Sequence, residues 1–287
     1  MKTSDIADPL FLQAVNSLDS GDVVTLESLL QTHPRLVTER LNTPNGQGYF
    51  KDPYLLWFVA DNPIRNDKLP VNIVEVTQLL LKQVKQQAPA SFQEQIDYTL
   101  GLVVTGLIPK ECGVQVAMTD LLISEGANLG DPLSAIAHGN PEIARYLVEK
   151  GAKVSLATAI CLGLGGQVEM LSKNASSDDL QETLVSAAFH GDAEGIKHVL
   201  QLGADPNGYI DPRVKPSFHS HGTALHQAVS SGSLAAVRML VEAGALTDLK
   251  DKIFGGTPIE WAEHMVSETT DEDRKQRYLE IERFLWG

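Results

Sequence analysis

Apolar and polar positions alternate with a helical period along much of the chain, most regularly in GTALHQAVSSGSLAAVRMLVEAGA, from Gly222 to Ala245. Ala224, Leu225, Ala228 and Val229 form a stripe at i, i+1, i+4 and i+5, which predicts a helix of about two turns. The polar run Ser230 to Ser233 breaks it. Leu234, Val237, Leu240 and Val241 rebuild a stripe, and Gly244 stands where a helix ends in a left-handed cap. The predicted unit is helix, turn, helix, glycine.

That unit recurs. In ETLVSAAFHGDAEGIKHVLQLGADPN, Glu182 to Asn207, Gly191 and Asp192 sit at the inter-helix turn and Gly203-Ala204 closes the second helix. Asp131 to Val154 repeats the arrangement, and Asp120 to Leu129 is a second helix with its closing turn. The Gly-Ala pairs at 126/127 and 151/152 are 25 residues apart, and those at 151/152 and 203/204 are 52 apart. A degenerate unit, SLATAICLGLGGQVEMLSKNASSDDL, fills the double interval. Upstream, Phe11 to Val37 reads as helix, Ser20-Gly21-Asp22 turn, helix, and closes on His33-Pro34. Asp52 to Gln83 carries a longer insertion, Asp61 to Pro70, between its helices. The next unit, with helices at Ile96 to Thr105 and Val114 to Ser124, holds the insert IPKECG.

The segment TALHQA, Thr223 to Ala228, and TPIEWA, Thr257 to Ala262, lie 34 residues apart. They resemble the T-P-L-H-x-A start of the ankyrin repeat, whose unit is roughly 33 residues; Glu260 stands where the motif has histidine. The resemblance implies an all-α fold, an ankyrin-repeat solenoid of stacked helix-turn-helix units, bacterial in type and about eight units long. The expected organisation is one solenoid over 1–287. It has an atypical first unit at 8–45, interrupted repeats at 46–130, repeats at 131–252 and a capping unit at 253–287. In that cap RYLEIERFLW forms the last helix, with Thr269 or Thr270 as its expected N-cap and Glu272 or Asp273 completing a capping box. Single units cannot bury enough apolar surface to offset their ordering entropy, so neighbours must supply the core. Ala187, Ala188, Ala224 and Ala228 would let first helices approach closely.

At 287 residues, 43% hydrophobic, the chain has ample material for a core. A net charge of −14 without a long basic run argues against nucleic acid; it serves solubility first and, where it selects a partner, a basic protein. Cys112 and Cys161, the two cysteines, are expected as buried small hydrophobes in a reducing compartment. Asp5 and Asp8 interrupt any signal-peptide core, and the apolar run Thr99 to Pro109 falls short of a bilayer of about 30 Å. The reading is cytoplasmic, without membrane contact.

No catalytic constellation emerges. GLGG, Gly163 to Gly166, lacks a following Lys-Ser or Lys-Thr and reads as an inter-helix turn. His219, His221 and His226 cluster, but His226 belongs to the repeat motif, and no cysteine or second histidine pair completes a metal shell. No metal or cofactor is expected. The leading expectation is a non-enzymatic scaffold that binds a protein through the concave face and inter-repeat loops. The candidate contacts are Tyr49, Phe50, Tyr209, Arg213, Lys215, Phe218 and Phe254, aromatic and cationic residues on loops. Trp57 and Trp261, in first helices, are expected in the core. The rival classes are a metal-dependent enzyme using His219 and His221 with Asp211, and a host-directed effector.

Overall fold

The computed structural model describes residues 5–44, 46–210 and 221–287. These are helical and contain no strand. The chain divides into two compact units, Met1–Lys153 and Val154–Gly287.

The first unit contains α1 (Pro9–Ser20), α2 (Val23–Thr32), α3 (Arg35–Thr38), α4 (Ile73–Gln87), α5 (Phe92–Thr105), α6 (Leu107–Glu111), α7 (Gln115–Ser124), α8 (Leu133–Ala137) and α9 (Pro141–Glu149). Helix α1 starts where Asp8 accepts hydrogen bonds from the N–H groups of Leu10 and Phe11 and Pro9 opens the first turn. The Arg35 guanidinium, hydrogen-bonded to Asp8, holds its carboxyl down to about 2. Between α1 and α5 lies a six-residue 3-10 segment, Leu55–Ala60, instead of the regular first helix that the repeat pattern implies there; the second helix of the unit forms as α4. All six side chains are buried, so no polar face exists to set a helical stripe.

The insertion after it is anchored, not loose. Asp61, at a left-handed φ of 44°, is buried and accepts from the backbone N–H groups of Arg65, Asn66 and Asp67. The Arg65 guanidinium, 3% exposed, pairs with Asp19 and Asp61 and lies 5.0 Å from the centroid of the Phe58 ring. Helix α6 forms inside the second insert. Cys112 follows it and is exposed, while Cys161 is half-buried, a correction to the burial expected of both. In α6 the apolar duty falls to Ile108 and Pro109, which leaves the C-capping Cys112 on the outside.

The second unit contains α10 (Leu156–Cys161), α11 (Gly165–Ser172), α12 (Ser177–Phe189), α13 (Ala193–Gln201), α14 (Ala224–Ser231), α15 (Leu234–Glu242), α16 (Pro258–Glu268) and α17 (Glu272–Trp286). First helices pack in chain order, α10 on α12, α12 on α14 and α14 on α16, while α13 packs on α15 and α15 on α17. Small side chains permit the close approach: Ala187, Ala188, Ala224 and Ala228 are fully buried. Each second helix with a Gly-Ala pair closes alike. At the last one Gly244 takes φ +93°, its N–H bonds to the Val241 carbonyl and the Ala245 N–H to the Leu240 carbonyl at 2.9 Å, which satisfies carbonyls that a helix end leaves open. The last helix is capped by Asp271, whose carboxylate accepts from the Arg274 N–H at 3.0 Å. That corrects the expectation of Thr269 or Thr270, because Thr269 is spent as the C-cap of α16.

Candidate protein-interaction surface

A short turn, Asp251 to Gly256, precedes α16. It owes its shape to one carboxylate: buried Asp251 accepts from the N–H groups of Ile253 (2.9 Å), Phe254 (2.7 Å) and Gly256 (2.8 Å) and from the Trp261 indole N–H (3.1 Å). Burial alone would raise its pKa, but these donors outweigh it and hold the carboxyl far below the usual carboxylate range. The Asp251 N–H closes the turn on the Gly256 carbonyl at 2.8 Å. With the backbone so held, Ile253 and Phe254 at the tip stand 66% and 80% exposed. Asp251 belongs to no motif of the repeat pattern; the signal that points to it is an Asp a few residues ahead of Gly-Gly-Thr-Pro, the composition of a side-chain-closed turn.

Beneath the tip, Thr223 and His226 open α14. The Thr223 N–H donates to His226 Nδ1 at 3.1 Å, so Nε2 carries the hydrogen and donates to the Gly256 carbonyl at 3.0 Å. Burial pushes the His226 pKa down. Trp261 packs edge-on against His226, with ring centroids 5.0 Å apart, and His221 lies 5.6 Å from Phe254 and 5.5 Å from Trp261. Trp261 is therefore half-buried, part core and part wall of an apolar groove of about 510 Å³ that Phe254, His221 and Met265 also line. The region can bind an apolar or aromatic side chain; it presents no activated nucleophile.

Tyr209 stands half-buried beside this turn. Its hydroxyl donates to the Lys250 carbonyl at 2.7 Å, the Lys252 ammonium lies 4.1 Å from its ring centroid, and burial pushes its phenol pKa up. Arg213, Lys215 and Phe218, with Asp211 and His219, lie outside the described residues. In the other unit Tyr49 is 58% exposed and donates to Asn62 Oδ1, and its carbonyl accepts from the Tyr98 hydroxyl. Its neighbour Phe50 faces inward, buried edge-on against Phe58 at 5.2 Å. Phe50 is thus a core ring beneath Tyr49 and not itself presented to solvent. Trp57 is buried and stacked on Tyr98 at 4.1 Å.

A family model of the ankyrin repeat matches residues 221–252. The matched stretch holds α14, α15 and the start of the Asp251 turn. Ankyrin repeats are modules of protein–protein interaction, and that function class is what the match carries. Comparison with curated proteins gives no match. Among the described residues no helix is long and apolar enough to cross a membrane, and no three His, Cys, Asp or Glu side chains are grouped to hold a metal ion.

Proposed function

We propose that the helix pairs of both compact units are ankyrin-type repeats, about eight in number and bacterial in type, and that they form a non-enzymatic scaffold for a protein partner. Contact is made through the concave inner-helix face and the inter-repeat loops. The supporting observation is the Asp251 turn: exposed Ile253 and Phe254 are carried on a backbone fixed by four donors to one buried carboxylate. An ordered aromatic on a rigid loop loses little entropy on binding, which is what an interface anchor requires. Tyr49 is a second anchor of the same kind, and Tyr209, Arg213, Lys215 and Phe218 complete the proposed contact set. The net charge of −14 favours a basic partner.

The test is a crosslinking pull-down from native lysate with the full chain, beside Phe254→Ala and a triple variant with Tyr209, Arg213 and Phe218 changed to alanine. A partner captured by the parent chain and lost by either variant supports the reading. Turnover of a substrate by the purified chain alone, or stoichiometric zinc in protein prepared without an affinity tag, overturns it.

A further inference from the structure

Helix α11 is exceptional in the second unit because it contributes no buried residue. It has eight residues and begins with Gly165-Gly166, so its first two positions have no side chain with which to reach a neighbour. Where α13 packs on α15 and α15 on α17, an open groove of about 570 Å³ separates α11 from α13. That volume lies within the range of pockets that enclose small ligands and side chains. Ile160, Val168 and Leu202 supply apolar lining, and Gly163, Gly165 and Gly195 leave it without side chains of their own. A Cβ built on Gly165 meets nothing within 4 Å.

The polar edge of the groove is unbalanced. Glu169, Asp192 and Glu194 stand there against one lysine, Lys173, which reaches Glu169 at 3.8 Å, and against His198, whose Nε2 lies 3.5 Å from the Ser172 hydroxyl. An apolar trough with an acidic rim matches the two faces of a basic amphipathic helix, which seats aliphatic residues at i, i+3, i+4 and i+7 and turns its cations to the edge.

We propose that the groove between α11 and α13 is a docking site for a basic amphipathic helical segment of a partner protein. Its aliphatic side chains rest on Ile160, Val168 and Leu202, and its lysines or arginines face Glu169, Asp192 and Glu194. The site is separate from the Asp251 turn and does not rest on the loop reading. The net acidic charge brings such a segment in, and the apolar floor retains it.

The probe is a synthetic helical peptide with leucines at i, i+3, i+4 and i+7 and lysines elsewhere, titrated into the isotope-labelled full chain. A second peptide carries glutamates in place of the lysines. The lysine peptide is expected to shift amide signals within 160–173 and 192–202 and to bind at least tenfold tighter than the glutamate peptide. Val168→Lys should weaken it at least tenfold, and so should the double change Glu169→Lys with Glu194→Lys. Val168 lies on a helix without core residues, so the urea midpoint should stay put. Gly165→Phe, which fills the groove, should also block the peptide, while Phe254→Ala should leave its affinity unchanged and so keeps this test apart from the loop reading. Shifts elsewhere, equal affinity for the two peptides, or variants that bind like the parent would overturn the proposal. So would concentration-dependent self-association that Val168→Lys abolishes, which would assign the groove to a second copy of the chain.

Discussion

His226 Nε2 donates to the carbonyl of Gly256 at 3.0 Å, which ties the first helix of one pair to the turn that opens the next. With Nδ1 accepting from the Thr223 N–H, the ring is fixed as one neutral tautomer. A proton on Nδ1 would face that N–H, and burial further disfavours the charged form. The folded pKa is therefore below the unfolded value of 6.5. Between the two values the unfolded chain binds more protons, so this stability is complete above about pH 6.5 and declines as pH falls below it. Urea midpoints measured from pH 7.5 down to pH 5 should drop for the parent chain and flatten for His226→Ala. That variant should also lose roughly 2–3 kcal/mol at pH 7.5, from two broken hydrogen bonds and a small cavity.

The second prediction concerns the Asp251 turn. Asp251→Ala leaves three backbone N–H groups and an indole N–H without their acceptor, and should cost about 2–4 kcal/mol in the second unit. Its folded pKa is depressed, so its stabilising contribution is present above the unfolded value of 3.8 and is lost as pH falls below that. Acid titration followed by the NMR signal of the Trp261 indole N–H reads this directly, since that group bonds to the carboxylate. An unchanged acid midpoint in Asp251→Asn would rule the carboxylate out as the anchor.

The helix pairs closed by Gly-Ala are visible in the sequence because their caps have a fixed chemistry: only a residue at ease with positive φ ends the helix, and the alanine after it is buried. Leu55–Ala60 is not visible in the same way. LLWFVA is apolar throughout, so it carries no period from which to tell a 3-10 turn from a helix, and its conformation depends on burial from every side. The groove beside α11 is hidden in the sequence for the converse reason. Val168 and Leu171 sit at a helical spacing that reads as a core-facing stripe, and only the packing of neighbouring helices reveals that α11 buries none of its residues. Phe254 is recognisable as a loop aromatic, whereas the buried Phe50, also an aromatic close to a glycine, is not distinguishable from it in the sequence.

In the first unit the buried guanidinium of Arg65 sits between Asp19 and Asp61 and over the Phe58 ring. Arg65→Ala leaves Asp61, 1% exposed, with its backbone donors but without a countercharge. Breaking a buried pair on one side should cost about 3–5 kcal/mol. Arg65→Lys should recover only part of it, because an ammonium cannot serve two carboxylates with a planar fork. Equilibrium urea unfolding of the three proteins measures both differences, and a lysine variant as stable as the parent would refute the fork geometry as the source.

Two glycines of the second unit should respond in opposite senses to the same change. Gly191 has φ +66°, and a Cβ on it would come within 2.7 Å of the Ser233 Cβ, whose hydroxyl already donates to the Gly191 carbonyl at 3.1 Å. Gly191→Ala must therefore strain its turn or push the α12–α13 turn away from the α14–α15 turn that carries Ser233, for a loss of roughly 2 kcal/mol. Gly165 lies in the first turn of α11 with open space around its Cβ position. There alanine removes unfolded-state freedom without a clash and should add about 0.5 kcal/mol. Thermal midpoints should fall for the first variant and rise slightly for the second. A fall in both would mean that α11 packs more tightly than a helix with no buried residue can.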